Sequence, residues 1–154
     1  MMEQPISFEA LLARDGRLVY TNKGVSMMPL LRQDRDLMII EKKGEERCRR
    51  FDAVLFRRPG INGRGAYVLH RIVKVNDDGT YYIVGDNCLT GETVREENVL
   101  GVLRGVVRDG RTVDFSSLGY RAYVWLWGGR PGLRRLTLLP RRMAAWCWHK
   151  VRGR

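Results

Sequence analysis

"AYVLHRIVKVNDDGTYYIVGDN", Ala66 to Asn87, decides the fold class: two runs rich in β-branched and aromatic residues flank a turn signal at Asn76 to Gly79. Branched and aromatic side chains suit a pleated surface, and Asn-Asp-Asp-Gly supplies a backbone that bends, so the stretch predicts an antiparallel hairpin. Working outward, "RLVYTN" (Arg17 to Asn22), "DLMIIEK" (Asp36 to Lys42) and "FDAVLFRR" (Phe51 to Arg58) predict three earlier strands. "VLGVLRGVVRDGRTVDF" adds two more about a second turn, Arg108 to Arg111. No helical period intervenes between them, which implies a mainly β body of antiparallel strands. A short amphipathic helix capped by Ser7 and running to Ala13 precedes the strands, with Ile6 placed to staple onto Leu11.

Composition sets the bounds. A chain of 154 residues with 44% hydrophobic and 29% charged residues can bury a real core. The net charge of +11 is unevenly held: Tyr120 to Arg154 carries +9 with no acidic residue, while the first 119 residues carry only +2. This divides the chain into a body, 1–119, and a basic, partly helical extension, 120–154. Cys48, Cys88 and Cys147 stand far apart with no metal-site spacing, which argues for a reducing compartment and against a disulfide framework. Glu3 and Glu9 fall where a signal peptide would be basic or apolar. The apolar run Ala122 to Trp127 is far short of the ~20 residues a spanning helix needs. The expectation is an unsecreted chain without a membrane span.

Three residue types converge on one chemistry. Strand alternation puts His70 on a face with Val68, Ile72 and Lys74, and taken alone it reads as a packed core histidine. Asp86, after Gly85 at a strand end, reads alone as a turn cap. Across the hairpin, however, His70 lies six residues before the turn and Asp86 seven after it, so antiparallel pairing brings them to nearly one height. Ser26 follows Gly24 and precedes Met27, Met28 and Pro29, an arrangement that holds a small hydroxyl on a stiff turn beside apolar surface. A serine hydroxyl needs a base, neutral imidazole is one near pH 7, and a carboxylate fixes its tautomer. The set predicts Ser26 as nucleophile, His70 as base and Asp86 as orienting acid. The backbone N–H of Ser26 is the candidate oxyanion donor, with Gly24 giving the turn its freedom. Met27 and Met28 are candidates to line a substrate groove, and a plain core role for at least one of them is an equal alternative.

These segments resemble the four sequence boxes of the signal peptidase I superfamily, the serine peptidases that include the LexA-like self-cleaving repressors. "GVSMMPLL" is similar to the Gly-x-Ser-Met-x-Pro box, "FDAVLFRR" to the next, "YVLHRIVKV" to the third and "YYIVGDN" to the Gly-Asp-Asn box, in order from Lys23 to about Val107. The resemblance implies coiled antiparallel sheets forming a partly open barrel, and endopeptidase activity on a peptide or leader-bearing precursor through an acyl-enzyme. It assigns Ser26 to the nucleophile, Asp86 to the aspartate and Asp36 to the acidic residue that ends the first box, here one place late. His70 stands where bacterial members carry lysine and the endoplasmic-reticulum and archaeal type carries histidine. Neither a metal nor a cofactor is implied.

Two departures bear on the setting. The chain shows neither the N-terminal span of signal peptidases nor the DNA-binding helices of the repressors, so a stand-alone catalytic domain is expected. All four tryptophans lie in the basic extension, interleaved with arginines. That pattern favours peripheral contact with an anionic membrane, then a helical cap on the barrel, and last nucleic-acid binding. The expected location is cytoplasmic, at the inner membrane face. The rival to a peptidase is a non-catalytic module of the same fold that binds membrane or nucleic acid through this extension.

Overall fold

The computed structural model describes residues 7–60, 65–129 and 136. Helix α1 (Phe8–Asp15) starts where Ser7 accepts a hydrogen bond from the Ala10 N–H and stops at Gly16, whose φ of 70° lets the chain reverse. It runs two residues beyond the expected end; Ile6 lies outside the described residues.

The body is mainly β. Strands β1 (Arg17–Thr21), β2 (Leu37–Lys42), β3 (Ala53–Arg58), β4 (Ala66–Val75), β5 (Thr80–Val84), β6 (Glu92–Arg95) and β7 (Val99–Arg108) form one antiparallel sheet. Their order is β1-β2-β7-β3-β4-β5-β6, with β8 (Arg111–Thr112) paired to β7. The expected strands are present within a residue or two, the last as a stub only two residues long. β6 was not expected, because Glu-Thr-Val-Arg offers a single buried apolar position, Val94, and too short a run for its period to register. Both turns form where the sequence signals them, with Gly79 at φ 80° and Gly110 at φ 77°.

Core packs on both faces of the sheet. One cluster gathers Leu12, Met27, Leu31, Ile40, Leu55, Leu69 and Val106; the other gathers Val54, Phe56, Ile72, Tyr81, Ile83 and Val102. The middle of β4, Leu69 to Ile72, is therefore buried on both sides. Helix α2 (Leu118–Gly129) straddles the boundary expected at 119/120. It turns Tyr120, Tyr123, Val124, Trp127 and Gly128 inward at helical spacing and leaves Arg121, Trp125 and Leu126 outside. At Gly128 the approach is so close that a Cβ would stand 2.8 Å from the Phe51 ring. The remainder of the extension, with Trp146, Trp148 and His149, lies outside the described residues.

Candidate active site

One irregularity between β4 and β5 determines which side chains meet. Next to the turn the register is Val75 with Tyr81 and Lys74 with Tyr82, but a bulge follows, and beyond it Ile72 faces Ile83 and Arg71 faces Val84. Without the bulge His70 would face Asp86. The one-residue slip brings Gly85 opposite His70 instead and puts Asp86 on the face of Arg71, because side-chain direction alternates.

The expectation that Asp86 orients His70 is therefore corrected. Asp86 is fully buried and bound in a fork by Arg71, Nε to Oδ1 at 2.9 Å and Nη2 to Oδ2 at 2.7 Å. The Tyr123 hydroxyl also donates to Oδ2 at 2.7 Å, and the Trp127 indole N–H to the Asp86 carbonyl. Arg71 spends a further N–H on the Phe51 carbonyl at 2.9 Å. Burial works against the Arg71 charge, but the carboxylate beside it outweighs that and holds the guanidinium firmly protonated. Burial and the same carboxylate push the Tyr123 phenol well above its ordinary range, so it stays a donor. This is a structural pair that locks α2 to the hairpin, and among the described residues Asp86 makes no hydrogen bond to His70.

His70 and the Ser26 turn meet across Gly85. A Cβ on Gly85 would lie 2.7 Å from the Ser26 carbonyl oxygen, 2.8 Å from Cys88 Sγ and 2.9 Å from His70 Nε2. Only glycine leaves room for serine backbone and imidazole on one spot. His70 is 8% exposed, with the Phe56 ring 6.1 Å away. Burial depresses its pKa, the Glu92 charge opposes that, Arg58 adds to it and Asp86 opposes it; the outcome lies below the usual histidine value. At pH 7 the imidazole is neutral and able to take a proton.

The turn carrying Ser26 is held at three points. Asn22 bridges to Gly24, its amide donating to the Gly24 carbonyl at 2.7 Å. Asn87, the residue after Asp86, donates its backbone N–H to the Ser26 carbonyl at 2.7 Å and its side-chain amide to Val25 at 3.2 Å. Below the turn, buried Asp36 accepts from Arg108 and from the Arg32 N–H, while Arg108 also donates to the Leu30 carbonyl at 2.8 Å. Burial pushes the Asp36 carboxyl up, but these donors outweigh it and keep the group below the ordinary carboxylate range. Among the described residues the Ser26 N–H has no acceptor. Met28 is 40% exposed beside the serine, whereas Met27, expected in the groove, is 2% exposed and belongs to the core.

Glu92 and Arg58 are functional candidates that no motif in the sequence marks. Glu92 Oε1 stands 3.9 Å from His70 Nδ1, a buried nitrogen without a hydrogen-bond partner. Arg58 grips Glu92 with two N–H groups, Nε to Oε2 at 2.9 Å and Nη2 to Oε1. The missing signal was β6 itself, since without that strand nothing places Glu92 beside β4. No cluster of three or more His, Cys, Asp or Glu suited to a metal occurs among the described residues.

No family model, no curated protein and no solved structure matches the chain. What can be said of its class therefore rests on the antiparallel sheet and on the meeting of Ser26 and His70.

Proposed function

We propose that the chain is a serine endopeptidase of signal peptidase I type, with Ser26 as nucleophile and His70 as general base. The observation that carries this reading is the meeting at Gly85, where His70 Nε2 and the Ser26 backbone border the same point. In this mechanism His70 Nε2 takes the Ser26 hydroxyl proton as Oγ attacks the scissile carbonyl carbon. The unclaimed Ser26 N–H donates to the oxyanion. His70 then protonates the leaving amine as the C–N bond breaks, and water, deprotonated by the same imidazole, releases the acyl group from Ser26.

Sheet geometry supports a polypeptide substrate. β3 pairs β4 from Ala66 to Arg71, whereas β5 joins the other edge only from Arg71 onward. The second edge of Ala66–His70 has no strand partner among the described residues, and it runs up to the base. An extended peptide adding there as a strand would present its backbone carbonyls near His70. The order of the four resembling boxes on one antiparallel sheet supports the finer reading of the body as the partly open barrel of that superfamily.

For location, no helix among the described residues is long and apolar enough to cross a membrane. Trp125, 54% exposed, and Leu126 lie with Arg121 on the outer side of α2, which favours peripheral contact with an anionic membrane, on the cytoplasmic side, over nucleic acid. The test of function compares protein N-termini in cells carrying the native chain or Ser26→Ala at equal abundance. Loss of a small set of N-termini in the variant is expected; identical profiles would overturn the peptidase and leave the binding module.

A further inference from the structure

We infer that Glu92, rather than Asp86, is the carboxylate that positions His70, and that Arg58 holds Glu92 ready for it. The catalytic consequence rests on the peptidase reading; the contact itself does not.

For His70 Nε2 to accept the serine proton, the neutral ring must carry its hydrogen on Nδ1. That N–H is buried and needs an acceptor, since a buried donor left without one loses its hydrogen bond to water and gains none in return. The charged and titratable groups around the ring are Glu92 from β6, Arg58 from β3, Asp86 after β5, and Cys88 beside Gly85. Asp86 is already committed to Arg71 and Tyr123 on the opposite face of β4. Glu92 Oε1, at 3.9 Å, is about 1 Å beyond hydrogen-bond length from Nδ1. Its side chain is 30% exposed and so is not fixed by close packing on every side. An Oε1 bonded to Arg58 keeps a second lone pair, so closing on Nδ1 does not require release of Arg58. Catalytic hydrogen bonds are often long before substrate arrives and shorten once the imidazolium forms. The arrangement is a relay of Arg58, Glu92 and His70 drawn from β3, β6 and β4, with β5 paired between β4 and β6.

The test is a pH titration of the imidazoles by long-range proton–nitrogen NMR on the full chain, with the His70 signals identified by their loss in His70→Gln. The native ring should be protonated at Nδ1. Glu92→Gln should move the His70 midpoint to lower pH and increase the Nε2-protonated tautomer. Glu92→Asp should keep part of the native behaviour, and Arg58→Gln should move the midpoint upward. Once a substrate is known from the N-terminal comparison, Glu92→Gln should also lower kcat/KM by at least about tenfold and shift its acid limb to lower pH. An unchanged midpoint and tautomer in Glu92→Gln would overturn the inference. If Ser26→Ala leaves the N-termini unchanged while the titration responds to Glu92, the peptidase has failed and the contact stands.

Discussion

His70 and Arg71 are neighbours on β4, both buried, and they are treated in opposite ways. Arg71 points to the α2 side, where a fork to Asp86 and a bond to the Phe51 carbonyl satisfy it. His70 points to the β6 side, neutral, with Nδ1 unpartnered and Nε2 against the Ser26 turn. A charge that deep persists only when it is paired, so the Arg71 side is a place where stability is invested. A polar nitrogen left short of its acceptor is a place where stability is withheld, and such places are candidates for chemistry. The contrast sets a satisfied buried charge beside a buried nitrogen without a partner in one dipeptide.

The strongest way to break the contrast is to strip one partner from each side. Asp86→Ala leaves the Arg71 cation buried and unpaired and should cost about 3–5 kcal/mol in urea unfolding, with loosening of α2. Glu92→Gln touches only a partly exposed pair and should change stability by about 1 kcal/mol or less. Equal losses in the two variants would mean that the two sides do not differ in kind.

Gly85→Ala should have an intermediate effect on folding and a large one on the site. Its methyl would meet the Ser26 carbonyl at 2.7 Å, a backbone atom that cannot swing aside. About 1–3 kcal/mol of stability should be lost, and under the proposed peptidase function the Ser26-dependent cleavage should fall with it. Full activity in this variant would show that serine and imidazole do not need to approach across this glycine.

The smallest effect is a slope. His70 has a lower pKa folded than unfolded, so acid favours the unfolded chain: stability is whole above the ordinary histidine pKa of about 6.5 and declines as pH falls through it toward the folded value. His70→Gln should flatten that stretch of the stability curve while leaving the steeper loss below about pH 4, where Asp36 is protonated away from Arg108. An unchanged curve between pH 5 and about 6.5 would mean that His70 is not a buried neutral base.

Local sequence was informative where a residue acts through its own neighbours. The Ser7 cap, the glycines of both turns and the alternating strands were all legible, because each depends on a few adjacent φ/ψ choices or on a period of two. Ser26 and His70 were legible too, as residue types on a stiff turn and an apolar strand. The partner of His70 was not, and neither was which of Met27 and Met28 is the buried one, because that depends on which elements cover the turn.

What the amino-acid sequence determined by itself was an antiparallel β body bearing a serine turn and a histidine strand, since propensity and periodicity are local. Only the tertiary structure decided the carboxylates. Nothing in the pattern of Tyr-Val-Leu-His-Arg-Ile-Val-Lys-Val marks the residue that loops out against the next strand. That single slip gives Asp86 to Arg71 and puts Gly85 against His70. The arrival of β6 beside them then brings Glu92 within reach. Parity across a sheet belongs to the pair of strands, and no single strand can encode it.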